Sequence, residues 1–359
     1  MNRFIPKKLR RMAPYVPNDA NYRVRLDANE SYHPLSDRVR RDIIHRIEDV
    51  MFNRYPDPSC TDLINVYSEH IGVDGQYIVA GNGSDELIGL IISSLLKEGD
   101  TLLICEPDFS MYEFYADLAG VEVVCCRKDK DFAIDFEEVH ELVFDTDANL
   151  VIFSNPCNPT GQGVDREEVL DFVRNTTALV VLDEAYMDFW GIEHSLIKDA
   201  PGMDNLIVLR TLSKAIGLAC LRVGFAISNK ELIDALYKAK SPFNMNALSQ
   251  VAACEVLKHP RLLEEQTALI LYTKGVLETG LNNVVRDGAC VIPTKTNFLL
   301  IEDDLAPEVF DYLLEKGIAV RLSIARRYLR ITVGSLRENE ELLRALDMYY
   351  GGRSCDKQK

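Results

Sequence analysis

A lysine and an arginine stand eight residues apart in the stretch TLSKAIGLACLRVGF, residues 211–225. Lys214 follows the apolar run LIVL and Arg222 opens the apolar run VGFAI. Burying an ammonium without a partner is expensive, so a cation in such surroundings calls for one. An amine whose pKa is lowered by burial and neighbouring cations is a nucleophile toward carbonyl carbon. A guanidinium fork suits a phosphate group, and Thr211 and Ser213 add hydroxyl donors. Either cation can instead extend its stem to water.

Three further stretches carry chemistry of related kinds. GNGSDE, residues 81–86, follows the strand-like YIVA and precedes an apolar-periodic helix. Glycines before a helix start expose N–H groups to an anion, with Ser84 and Asp85 as candidate N-caps; a capped turn and a phosphate cradle both fit. NPCNPTG, residues 155–161, forces a turn after LVIFS. Turns at the carboxyl ends of strands in open α/β sheets are where ligands bind, and Asn158 offers an amide there. In VVLDEAYMDF, Asp183 ends a strand expected to be buried on both faces, with Tyr186 three residues on. Its carboxylate either caps the next helix or pairs with a cation that holds its pKa down. A phosphate cradle, ring-oxygen donors, a carboxylate for a pyridinium nitrogen and a Schiff-base lysine are together what pyridoxal 5'-phosphate requires.

Such residues lie far apart in sequence, so elements of regular structure must gather them. Between residues 77 and 228 apolar runs such as TLLIC, VEVVCC and NLIVLRT alternate with amphipathic stretches such as DELIGLIISSLLKEGD and REEVLDFVRNT. That alternation predicts βα units and a mostly parallel sheet covered by helices on both faces. After residue 240 long helical periodicity takes over, followed by the short strands NFLLIE, IAVRL and YLRITVG around one helix, and a terminal helix. These read as a smaller α+β domain. The expected organisation is an N-terminal arm over residues 1–34 packing on the small domain, a large cofactor-binding domain over 35–245 and a small C-terminal domain over 246–359.

Composition narrows the field of partners. A net charge of -16 over 359 residues argues against nucleic acid or an anionic membrane, both of which call for basic patches. No run approaches the roughly 20 apolar residues of a membrane span. The basic start MNRFIPKKLRRMAPYVP lacks the apolar core of a signal peptide. Nine cysteines without zinc spacing read as reduced thiols, so a cytoplasmic protein without a metal is expected.

The order RYPDP, GNGSDE, NPCNPTG, DEAYMDF, TLSKAIGLACLRVGF and LRITVG resembles the fold-type I, class I/II pyridoxal-phosphate-dependent aminotransferases, and specifically their histidinol-phosphate aminotransferase branch, over nearly the whole chain. The resemblance implies a seven-stranded type of large sheet and a homodimer with shared sites. It implies three catalytic residues. Lys214 forms the internal aldimine and shuttles the proton, Asp183 pairs with the pyridinium nitrogen, and Tyr186, with Asn158, binds the ring oxygen. The cofactor phosphate falls to Ser84, Asp85, Thr211, Ser213 and Arg222, and to Tyr55 from the partner subunit. Phe109 takes the place of the aromatic stacked over the ring, usually a tyrosine. Arg330, Arg321, Tyr15, Asn29 and Asn158 match the substrate side, with 2-oxoglutarate and glutamate as the second substrate pair.

The chain departs from the family pattern where the substrate binds. RLSIARRYLR, between Arg321 and Arg330, is short and adds Arg326 and Arg327; ESYHPLS follows Asn29; Cys220 stands at a common glycine. The expected reaction is transamination of histidinol phosphate in histidine biosynthesis. Threonine-phosphate decarboxylation and transamination of an aromatic or other amino acid share the same cofactor motifs. A non-catalytic, cofactor-sensing regulator would need a fused basic DNA-binding module.

Overall fold

The computed structural model describes residues 4–12, 21–285 and 288–356. Its strands are β1 (Val24–Arg25), β2 (Ile78–Gly81), β3 (Thr101–Glu106), β4 (Glu122–Arg127), β5 (Leu150–Ser154), β6 (Leu179–Asp183) and β7 (Leu206–Thr211), then β8 (Gly224–Ile227), β9 (Cys290–Ile292), β10 (Phe298–Glu302), β11 (Ile318–Ala319), β12 (Arg321–Ser323) and β13 (Tyr328–Thr332). Seven of them form one sheet in the order β2-β8-β7-β6-β5-β3-β4. The sheet is mostly parallel, as the alternating pattern predicts; β8 runs against both β7 and β2.

Successive residues of the central strands enter different cores. Val151 and Phe153 of β5, Val180 and Leu182 of β6, and Leu206 and Val208 of β7 pack on one face. Leu150 and Ile152, Val181, and Ile207 and Leu209 pack on the other. Period-two side chains that are apolar on both sides mean a sheet covered twice, which is why these runs read as continuous hydrophobic stretches.

The strand directions bring the chemistry to one edge. β3, β5, β6 and β7 run parallel, so their carboxyl ends lie together and deliver Phe109, Ser154, Asp183 and Thr211. Because β8 is reversed, its first residue, Gly224, pairs with Thr211, and Arg222 lies just before it at the same edge. β2 is reversed relative to β8, so Gly81 also pairs with Gly224 and the GNGSDE turn ends there too.

A second sheet, β12-β13-β10-β9, is antiparallel. Its core is built from Phe298, Leu299, Ile301, Leu329 and Ile331 with Leu277, Leu281, Leu342 and Leu346 of two long helices, and it takes in Tyr186 and Ala215 from the motifs above. Val24 and Leu26 join that core, and β1 pairs with β11. Helix Lys7–Arg11 lies elsewhere: the Lys8 ammonium donates to the Leu118 carbonyl on the helix Met111–Ala119, beside the large sheet. No helix among the described residues is long and apolar enough to cross a membrane, and no group of three or more His, Cys, Asp or Glu among them could hold a metal ion.

One buried charge cluster ties strands to loops just beneath the site. Arg210 of β7 is 4% exposed and donates to Glu184 Oε2 at 3.2 Å and to Asp188. Glu184 also accepts from the Leu196 N–H at 2.8 Å and the Ser195 hydroxyl. Removing one member of a buried ionic cluster strands the others without solvation. Arg210→Met is expected to lower the unfolding free energy by about 3–5 kcal/mol, measured by urea denaturation; a loss under about 1 kcal/mol would contradict the structural role given to this cluster.

Candidate functional site

The strand ends enclose a cleft of about 210 Å³. Ser84, Asp85, Phe109, Asn158 and Asp183 line it, as do Tyr186, Thr211, Ser213, Lys214 and Arg222. Nine residues singled out in four separate motifs, together with Phe109, therefore share one cavity.

At its floor lies Asp183, 4% exposed at the end of β6. Tyr112 donates its hydroxyl to Oδ2 at 3.0 Å and the Ala185 N–H donates to Oδ1 at 3.1 Å. No cation reaches this carboxylate among the described residues. Burial therefore governs its acidity, pushing the pKa up to about 7 against the relief from those two donors, and Asp108 and Asp85 push the same way. The described residues supply no partner cation, which leaves that place to the pyridinium nitrogen the resemblance implies: the floor holds a carboxylate that a positively charged group would return to its ionised form.

The polar end of the cleft lies where helix Ser84–Leu95 begins. Gly83, not Ser84 or Asp85, occupies the N-cap, so those two residues sit in the first turn, where backbone N–H groups have no partner within the helix. Gly83 has φ +89°, and a Cβ there would lie 2.7 Å from Arg222 Nη2. A Cβ on Gly224 would lie 2.3 Å from the Ser84 nitrogen, so β8 touches the helix start and no side chain fits between them. Arg222 has left-handed φ 52°; its Nη1 donates to Ser213 Oγ at 3.3 Å. Thr211 Oγ1 donates to Ser213 Oγ at 3.0 Å. Asp85 Oδ2 is 3.8 Å from Arg222, while Oδ1 is buried and accepts no hydrogen bond among the described residues. Burial pushes the Asp85 pKa up, opposed by Arg222 and Lys214.

Lys214 is half-buried at the cleft wall, with Nζ donating to the Ala28 carbonyl at 3.2 Å and lying 5.6 Å from the Tyr186 ring centroid. The Tyr186 hydroxyl accepts from Asn29 Nδ2 at 2.8 Å. Asn29, in left-handed backbone at φ 54°, is held by Thr332 and Asn297. Arg330 donates through Nη1 to Asn158 Oδ1 and through Nη2 to the Asp27 carbonyl at 2.7 Å. Arg321 is its register partner across β12 and β13, so both side chains leave the same face of the small sheet.

Two candidates lie apart from this assembly. Tyr55 is 81% exposed and stacks on Phe243 at 4.5 Å, outside the cleft. Tyr15 lies outside the described residues. Of the extra arginines, Arg327 donates to Asp304 at 2.9 Å and lies 3.5 Å from Glu302, whereas Arg326 is exposed in a tight hairpin with Ile324 and Ala325.

Several contributors went unmarked in sequence. Tyr112, fully buried and edge-on to Phe109 at 5.7 Å, is a helix-face aromatic whose hydroxyl partner is 71 residues away. Its spacing from Phe109 was a signal available in FSMY; its partner was not. Ser154, itself in the cleft wall, is bonded to Asp108, which pairs with Lys128 in a buried polar cluster behind that wall.

The residues fit pyridoxal 5'-phosphate on their own terms. A buried carboxylate lacks a cation, a helix start and an arginine close a cradle too tight for a Cβ, and an amine stands between them. A carboxylate whose folded pKa lies above its unfolded one destabilises the fold as pH rises from 3.8 to about 7, with no further change above. Without added cofactor, Asp183→Asn is expected to remove most of that fall, measured by urea unfolding between those two pH values, and to weaken pyridoxal phosphate binding. An unchanged pH dependence would refute the assignment of a buried, cation-free carboxylate.

The family described as aminotransferase class I and II matches residues 23–346. A curated histidinol-phosphate aminotransferase of Clostridium novyi (strain NT) is 38% identical over 343 residues, 95% of each chain. The solved histidinol-phosphate aminotransferase of Sinorhizobium meliloti, in complex with pyridoxal-5'-phosphate, superposes with a TM-score of 0.90 at 26% identity, covering 98% of this chain and 99% of that one. The L-threonine-O-3-phosphate decarboxylase of Porphyromonas gingivalis has a TM-score of 0.78 at 24% identity over 91% of this chain and 99% of that one, a likeness of fold alone.

Proposed function

From the premise that the chain belongs to the class I and II aminotransferases, we propose that it transfers the amino group of histidinol phosphate to 2-oxoglutarate, using pyridoxal 5'-phosphate. The observation that carries the reading is the single cleft in which Lys214, Asp183, Asn158 and Arg222 meet, with Arg330 bonded to Asn158 at its mouth. When bound, the cofactor supplies a carbonyl for the amine and a ring that withdraws electrons from the substrate's α-carbon.

The side chains then divide the work by position. Lys214 Nζ is the amine that holds the cofactor and, once released by the donor, takes the proton from the α-carbon. Asp183 Oδ1 and Oδ2, oriented by Ala185 and Tyr112, hold positive charge at the ring nitrogen. Tyr186, steadied by Asn29, and Asn158 donate toward the ring oxygen. Phe109, which lines the cleft, would cover one face of the ring. Ser84 and Asp85 through their N–H groups, with Thr211, Ser213 and Arg222, hold the phosphate.

Donor recognition falls to Arg330 and Arg321, which project from one face of the small sheet, and to Asn29, Asn158 and Tyr15. Two guanidinium groups side by side suit a phosphate dianion better than a carboxylate. Arg327, engaged by Asp304 and Glu302, takes no part. The active unit is a homodimer in which Tyr55 reaches the partner's cofactor phosphate. Support for this lies in an aromatic exposed at 81% beside exposed Met51, Phe52 and Phe243, an apolar patch without a partner among the described residues.

The test is a panel of amine donors with 2-oxoglutarate, measuring glutamate and carbon dioxide together. Glutamate from histidinol phosphate is the expected result; carbon dioxide from threonine phosphate would overturn it. Arg330→Ala should raise the KM for the donor roughly 30-fold or more, about 2 kcal/mol of lost charge pairing, and change cofactor affinity much less.

A further inference from the structure

Behind the cleft wall lies a buried ion pair that the proposed reaction does not use. Lys128, the residue after β4, and Asp108, two residues after β3, have side chains 1% and 0% exposed. An ammonium has three donors, and Lys128 directs them to Asp108 Oδ2 at 3.1 Å, the Pro107 carbonyl at 3.1 Å and Cys157 Sγ at 3.0 Å. Against well-packed apolar residues of similar volume such a pair contributes little net stability, so another reason for it is worth seeking.

The bonds that converge on Asp108 supply one. Oδ1 accepts from the Phe109 N–H at 2.8 Å and from the Ser154 hydroxyl; Oδ2 accepts from the Ser154 N–H at 3.1 Å as well as from Lys128. Ser154 Oγ accepts in turn from the Asn158 N–H at 3.1 Å. Asn158 Oδ1 then accepts from Arg330. One carboxylate thus joins the loop after β3 to the end of β5, to the NPCNPTG turn and, one bond further, to the arginine at the mouth. Hydrogen bonds to an ionised group are the strong ones, and in a dry interior they hold geometry firmly.

We propose that Asp108, pinned by Lys128, is a positioning residue that sets Phe109 and Asn158 in place around the cofactor and, through Asn158, fixes the Arg330 guanidinium that receives the donor. The inference rests on the roles given above to Phe109, Asn158 and Arg330. Small displacements of such groups are expensive in rate and affinity, and outer partners of ligating groups are typically worth about 10–100-fold.

Two variants of the full-length protein test it. Ser154→Ala cuts the relay between Asp108 and Asn158 without leaving the ammonium unpaired. Asp108→Asn keeps the side-chain volume but turns an amide N–H toward Lys128. For each, the dissociation constant for pyridoxal phosphate, the visible circular dichroism per bound cofactor, donor KM and kcat at saturating cofactor, and the melting temperature are measured. Ser154→Ala is expected to weaken cofactor binding and raise donor KM, each about 10-fold, and to reduce the dichroism, with little change in melting; Asp108→Asn moves the same quantities further. Lower melting temperatures with unchanged dichroism, affinity and KM would mean a purely structural cluster and would overturn the inference. Should Asp108→Asn fail to fold, Ser154→Ala decides alone. Wild-type protein that takes up no pyridoxal phosphate defeats the aminotransferase reading; wild type that binds it, with both variants matching it, defeats only this inference.

Discussion

A carboxylate at the end of a strand buried on both faces must be protonated or meet positive charge, and Asp183 is placed under that constraint by the fold itself. β6 lies in the middle of the seven-stranded sheet, so its last residue is dry, and the described residues provide only a hydroxyl and an N–H to meet it. The elements around the site are consistent with this demand. The parallel strands deliver Phe109, Asn158 and Thr211 beside Asp183, and the reversed β8 returns Arg222 to the same edge. The result is a cleft with a negative floor, a positive far end and an amine between. That polarity matches a ring with a basic nitrogen at one end and a phosphate at the other.

The glycines make the phosphate end tight. Gly224 allows β8 to approach the start of helix Ser84–Leu95 at a distance no side chain would permit, and Gly83 takes a backbone conformation that leaves room for the Arg222 guanidinium. The small antiparallel sheet supplies the other wall. Its core includes Tyr186 and Ala215, so the residues that would grip the cofactor are packed against the sheet that carries Arg321 and Arg330. In the proposed reading, cofactor and donor would thereby be bound to one continuous structure, with Asn158 bonded to Arg330 at the join.

Much of this was legible in the sequence because the motifs are local. A strand, a turn and a helix start follow one another in GNGSDE, and the apolar runs declare a covered sheet through their period. What could not be read depends on neighbours distant along the chain. The cap at the GNGSDE helix falls on Gly83 because the turn needs positive φ, which the polar residues after it conceal. Tyr112 looks like any core aromatic until Asp183 is beside it. Lys128 and Asp108 look like two surface charges in CRKD and EPDF, yet both side chains are fully enclosed. Arg327 is, in sequence, one more arginine beside the substrate strands; in the fold two acidic residues claim it.

Every role assigned in the cleft depends on which amine holds the cofactor. Borohydride reduction of the protein loaded with pyridoxal phosphate, followed by proteolysis and peptide mass mapping, reads this directly. The prediction is a single phosphopyridoxyl label on Lys214 in TLSKAIGLACLR. A label on Lys128 or any other lysine, or no labelled lysine at all, would contradict it.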